Sequence, residues 1–448
     1  MERIQVSENH RFLVTASNEP FFWLGDTAWE LFHRQNLAEI QEYFANRQAK
    51  GFTVIQAVLL GEVDGLNTPN ANGDRPFYDN DPTRPVESYF TFVDEVVRLA
   101  ASHGLYIGML PTWGDKVTHL WGAGPIVFNP QNARIYGQFL GKRYGSSNNI
   151  LWILGGDRPA FTSDHDYRPV WREMAAGIDE GCGFHPFKTY HPMGGHSTSD
   201  WLQDETWLDM HMLQSGHGLG HDVPVWDMVA QDYALSPIRP VLDGEPNYED
   251  HPVSPWPTWD PANGYFDDHD VRKQVYRSVF AGGCGVTYGH QSIWQFITPD
   301  RQPITFPMIL NWREALDRPA ASQVGHLRSL MLSRPFLSRI PDQNLIAGDL
   351  GTGPDYVCAT RDQAGSYAMI YMPSHHPVDV RMEVIKDDTI RAWWFDPRLG
   401  KASMIGLFPS ACTATFTPIQ ADLDMVLVLD ASSINYPAPG STRWRLHE

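Results

Sequence analysis

Cysteine is scarce in this chain: four residues in 448, Cys182, Cys284, Cys358 and Cys412, with no CxxC pair among them. That excludes a disulfide scaffold and a thiolate zinc ribbon and leaves reduced, mostly buried thiols as the expectation. No run of about 18 apolar residues occurs, which excludes a membrane-spanning helix. Basic residues are few, 34 Lys and Arg against 53 Asp and Glu, and the net charge of −19 disfavours nucleic acid as a partner. Several motifs are missing too. There is no GxGxxG after the first apolar run, no Walker loop, no GxSxG after a strand and no HExxH, which removes dinucleotide folds, P-loop enzymes, α/β-type serine hydrolases and zincins. The opening segment lacks the apolar stretch of a secretory signal, so a cytoplasmic protein is expected, although a trimmed secreted form would leave the same sequence.

Aromatic and imidazole groups are plentiful instead, with 16 Trp, 17 Tyr and 18 His in an acidic chain. Flat, amphipathic, hydrogen-bonding surfaces of that kind suit sugars, although any one Trp more often fills a core. Eight short apolar runs, 21–25, 53–59, 105–111, 150–154, 187–190, 208–213, 240–242 and 284–288, alternate with helical patterns at 37–50, 86–103, 131–144, 167–180 and 268–281. The runs are continuous rather than alternating, as in parallel strands covered on both faces. Each helical pattern is followed by a Gly that reads as its stop, and Asn36 with Glu39 forms a variant of the capping box. The pattern predicts a (β/α)8 TIM barrel over 1–338, with the first 20 residues as a hairpin beneath it. Short alternating segments at 356–361, 366–372, 378–385, 390–395, 414–417 and 425–429 then predict an antiparallel β-sandwich over 339–448. With no low-complexity linker between them, the two parts are expected to pack together. The sandwich acids Asp396 and Asp424 belong to no catalytic constellation in the sequence.

A barrel of this kind carries its active site at the C-terminal strand ends. The polar residues there are Asp26 and Trp29, then Glu62 and Asp64, then Trp113, Asp115 and Lys116, then Asp157 and Arg158. His191 and His196, then Gln214, Ser215 and His217, then Asp243, Glu245 and Asn247, and finally His290, Gln291 and Trp294 follow the later runs. Two acids stand apart, Asp157 after the fourth run and Glu245 after the seventh. By fold analogy these are the ends from which sugar-cleaving barrels present an acid/base and a nucleophile. Two carboxyl groups are needed because one protonates the departing oxygen while the other attacks the anomeric carbon. His211, His217 and His221 lie close in sequence, but their spacing is loose for a metal, so they read as hydrogen-bond donors and no metal ligand is assigned.

The segments Trp23-Leu-Gly-Asp-Thr-Ala-Trp29, Gly155-Gly-Asp157 and Asp243-Gly-Glu-Pro-Asn-Tyr-Glu249 together resemble the apiosidase-like glycoside hydrolases, family 140. Trp394-Phe-Asp-Pro-Arg-Leu-Gly400 resembles the collagen-binding-type β-sandwich that follows such barrels. The resemblance implies an exo-acting retaining glycosidase that needs no cofactor, takes a carbohydrate substrate and removes apiose or a similar pentofuranose from plant-derived glycosides. In that pattern Asp157 matches the acid/base and Glu245 the nucleophile. Trp113 and Trp294 would stack on the sugar, Asp26, His191, Gln214, His290 and Gln291 would hold hydroxyls, and Trp29 and Asp115 would complete the binding set. Another furanosidase, such as an arabinofuranosidase, and a catalytically dead glycan- or collagen-binding protein are the rival readings; the presence of both acids argues against the second.

Overall fold

The computed structural model describes residues 1–301, 305–307, 309–419 and 423–441. All eight predicted runs are strands: Trp23–Thr27, Val54–Val58, Tyr106–Leu110, Ile150–Gly155, Lys188–His191, His211–Gln214, Val241–Asp243 and Gly285–Tyr288. They pair in parallel in the spatial order 5-4-3-2-1-8-7-6. The two ends of this row, strands five and six, are stitched by single bonds rather than a ladder. Asp209 N donates to Lys188 O at 2.9 Å, Thr189 Oγ1 to Met210 O at 2.8 Å, and Thr198 Oγ1 reaches both Tyr190 O at 2.7 Å and Met212 O at 2.8 Å. The result is a TIM barrel closed by a threonine bridge. Each strand residue is buried, because helices cover the outer face and side chains fill the inner one.

The helices form where their patterns place them. Asn36 caps Leu37–Ala49 in a full capping box with Glu39. One of the expected stops is wrong, and another is made without left-handed backbone. The helix Pro130–Tyr144 meets Gly145 in ordinary right-handed backbone, and Arg168–Cys182 runs through Gly181 to end at the left-handed Gly183. Gly181 has another use: a Cβ there would sit 2.4 Å from Gln138 O, and one at Gly141 would sit 2.3 Å from Ile178 O. These two helices therefore touch backbone to backbone, which only glycine permits. Beneath the barrel, Ile4–Val6, Leu13–Thr15 and Pro20–Phe21 make a three-stranded sheet, one strand more than the expected hairpin.

The C-terminal part is a six-stranded antiparallel sheet faced by a two-stranded one, Val378–Arg381 with Thr413–Phe416. Both faces of the larger sheet are covered. Tyr367, Met369, Tyr371, Val426 and Val428 join the core of the barrel, while the alternating Ala368, Ile370, Met372, Leu427 and Leu429 pack toward Val378, Val380 and Phe416. Two strands, both at the sheet edges, escape the sequence reading: Arg339–Pro341 because it is only three residues long, and Lys401–Pro409 because it is largely exposed, without an alternating apolar face. Asp424, outside any catalytic constellation, is fully buried and holds Arg272 of the barrel at 2.9 Å, with Tyr371 Oη donating to it at 3.0 Å. Arg334 and Asp430 form a second buried pair at 2.7 Å, and Trp226 stacks on Tyr356 at 4.1 Å. No described helix is long and apolar enough to cross a membrane.

Candidate active site

Asp157 leaves the fourth strand through a turn in which Gly155, Gly156 and Asp157 all take positive φ, 87°, 120° and 53°. Two glycines adopt this freely, and Asp is among the few other residues that tolerate it. The turn aims the Asp157 backbone N–H at His191 Nδ1, 3.2 Å away. That bond settles the imidazole: Nδ1 accepts, so the neutral ring carries its proton on Nε2. His191 Nε2 lies 2.9 Å from Glu245 Oε2, oblique to the ring N–H. A single histidine therefore links the backbone of one acid to the carboxylate of the other.

Glu245 sits at the bottom of the mouth, 8 % exposed, with His217 Nε2 3.4 Å from its Oε1. Tyr248 also turns its hydroxyl toward Glu245. Trp29 Nε1 donates to that hydroxyl at 2.8 Å, and Thr27 lies beside it as well. Burial alone would push the Glu245 carboxyl up, but the ring N–H groups of His191 and His217 facing it outweigh burial and hold the group well below the usual carboxylate range. Asp157 moves the other way. Burial raises it, the adjacent Glu245 charge raises it further, and Arg158, whose Nη1 is 2.8 Å from Asp157 Oδ2, offsets only part of this. Two carboxyl groups at one mouth are thus driven apart, one poised to hold a proton and one to stay ionised.

The remaining predicted binding residues divide. Trp29, Trp113 and His191 form one aromatic cluster with centroids 5.1–5.7 Å apart, and Gln214 lies beside Asp157. Trp113 Nε1 and Gln214 Oε1 are buried without a protein partner, as groups kept for a ligand would be. Asp26 is not brought to the mouth. Trp23 and Gly25 lie beside Gln56 in the barrel interior, so Asp26 faces the helix layer, where it accepts from Tyr43 Oη at 2.6 Å and Arg47 Nε at 2.5 Å. Asp115 pairs with Lys116 at 2.8 Å and takes the Gly124 N–H at 2.9 Å, which ties down a loop. His290 Nε2 lies 3.1 Å from Asp250. Gln291 donates to Thr305 O at 2.6 Å and accepts from Trp294 Nε1 at 3.1 Å, so the polar groups of these three are bonded within the protein. Strand-end position alone identified them, and period-2 alternation was the signal that should have turned Asp26 outward. The sequence reading misses Tyr248 although it lies in the third motif, whereas His217, read as a hydrogen-bond donor rather than a metal ligand, faces Glu245.

A family model described as "Apiosidase-like, catalytic domain" matches residues 7–338, and one described as "Putative collagen-binding domain of a collagenase" matches residues 340–430. Among solved structures, a protein described as a glycoside hydrolase is 34% identical over 97% of this chain and 98% of its own, with a TM-score of 0.88. A protein described as glycoside hydrolase family 5 from Bacteroides vulgatus ATCC 8482 is 32% identical over 99% of this chain and 96% of its own, also at 0.88. No curated protein matches. A barrel with two opposed carboxyl groups at its mouth, matched over its whole length by such a family, leaves one assignment: the chain is a glycoside hydrolase and belongs to the apiosidase-like family.

Proposed function

We propose that the enzyme is a retaining exo-glycosidase that releases a terminal pentofuranose, apiose, from plant-derived glycosides, with Glu245 as nucleophile and Asp157 as acid/base. The observation that carries this reading is the opposed pair: Asp157 keeps its proton above the usual carboxylate range while Glu245 is held ionised below it. In the first step Glu245 attacks the anomeric carbon as the glycosidic bond breaks, and Asp157 gives its proton to the leaving oxygen. In the second, ionised Asp157 takes a proton from water, which attacks the same carbon and frees Glu245. His191, His217 and Tyr248 orient Glu245 in both.

Exo action is supported by depth. Trp29 and Trp113 are each 2 % exposed and Glu245 is nearly so, whereas the Asp157 side chain is 25 % exposed. A single terminal ring fits that blind arrangement better than a chain passing through. Proton NMR of the reaction on apiosides tests the reading: the first sugar released should keep the anomeric configuration of the substrate. An inverted product would remove the nucleophile role from Glu245, and turnover confined to arabinofuranosides would replace the pentose.

A further inference from the structure

The acid side of the mouth is where the leaving group must lie, because Asp157 has to reach the glycosidic oxygen. Exposure rises outward along that side. The Asp157 and Glu62 side chains are 25 % and 27 % exposed, and Trp121 is 43 % exposed. One buried residue, Arg158, joins all three. Its Nη1 is 2.8 Å from Asp157 Oδ2 and its Nη2 3.3 Å from Glu62 Oε1. Its Nε and Nη2 donate to Trp121 O at 3.1 and 3.0 Å, and its guanidinium lies 4.2 Å from the centroid of the Trp121 indole. The loop that carries Trp121 is pinned again by Asp115, which takes the Gly124 N–H at 2.9 Å.

An indole ordinarily buries its face. Here a fully buried arginine and a buried aspartate fix a partly exposed one beside the acid, on a short loop whose next residue, Gly122, could not carry a Cβ without meeting Asp115 at 2.5 Å. Trp121 is held, not left over. We infer that Trp121 is the platform on which the departing sugar ring stacks, and so a specificity-determining residue for the leaving-group side of the reaction. Glu62 argues for a sugar rather than a bare aromatic ring, since it places a carboxyl group beside the same platform to meet ring hydroxyls. Burial and the neighbouring Asp157 and Asp115 charges push that group up to about 7 despite Arg158, so it can accept or donate.

The inference rests on Asp157 being the acid, and one experiment separates the two. Wild type, Trp121→Ala and Trp121→Phe are each assayed on an apiosyl disaccharide and on apiosyl fluoride, whose leaving group has no ring. Trp121→Ala should lose at least tenfold more kcat/KM on the disaccharide than on the fluoride, mostly through KM, and Trp121→Phe should recover most of it. Equal losses on both substrates, or none, would overturn the platform while leaving fluoride turnover to support the two acids. A wild type inactive on both would overturn the pentosidase reading and the platform with it.

Discussion

Asp157 is held at φ 53° by the turn it shares with two glycines, and it carries an arginine on one carboxylate oxygen. The left-handed backbone costs stability, and backbone of this kind concentrates at functional sites. The consequence is a pH profile. Because Asp157 titrates above and Glu245 below the usual carboxylate range, kcat/KM should be flat between them, fall on the acid side as Glu245 protonates and fall on the alkaline side as Asp157 loses its proton. Glu245→Gln should abolish the acidic limb together with activity. His191 touches both acids, its Nδ1 accepting from the Asp157 backbone and its Nε2 facing Glu245. His191→Ala should lower kcat by about 10- to 100-fold, at or below the scale of losing one well-aligned donor because its N–H meets Glu245 obliquely, with KM changing less. Chelation should leave turnover unaltered, because the histidines around Glu245 serve it as donors; activity lost to a chelator and restored by Zn²⁺ or Ca²⁺ would contradict that role.

The paired helices Pro130–Tyr144 and Arg168–Cys182 are the tightest contact between elements. Gly177→Ala would bring a Cβ to 2.2 Å from Arg134 O. The helical gain of about 1 kcal/mol from removing a glycine is outweighed, since backbone cannot step aside, and net destabilisation of about 1–3 kcal/mol is expected in chemical denaturation. Gly183→Ala, with open space around it but φ 75°, should cost no more than about 1 kcal/mol. The elements were legible in the sequence wherever burial imposed a period: the eight strands were found because both faces are covered, and the five helices because one stripe is. The exposed edge strand Lys401–Pro409 had no such signature. The stop at Gly181 was misread because glycine serves helix contact as well as helix ends.

Barrel and sandwich share one core, so the whole molecule should unfold in a single transition. Asp424→Asn would leave the buried Arg272 with only the half-exposed Asp268 as its counter-charge, at a cost of about 1–3 kcal/mol, lowering that one transition rather than splitting it. Stability should also fall as pH rises. Burial pushes Asp243 and Glu249 to about 7, so the folded state keeps protons that the unfolded chain sheds near 4. Their contribution is fully present below pH of about 4 and is lost as pH climbs to about 7. Asp243→Asn should flatten part of that slope in denaturant titrations across this range. At this scale the sequence showed the two parts and their packing, through the missing linker. What joins them, Arg272 with Asp424 and Arg334 with Asp430, depends on residues 152 and 96 positions apart that no local pattern connects. The site was legible in the same uneven way: strand ends located both acids, while the partners that set their protonation, His217, Tyr248 and Arg158, took meaning only from the folded geometry.

The central claim is that the covalent bond forms at Glu245 while Asp157 serves both steps. Asp157→Asn offered an aryl apioside with a good leaving group should complete the first step, since an activated phenolate needs little protonation, and stall in the second for want of a base. Intact mass should then show one added pentosyl group, peptide mapping should place it on Glu245, and azide should release it as the glycosyl azide with the configuration of the substrate. Ordinary turnover by Asp157→Asn on a poor leaving group, or a pentosyl group mapped to any residue other than Glu245, would contradict the account.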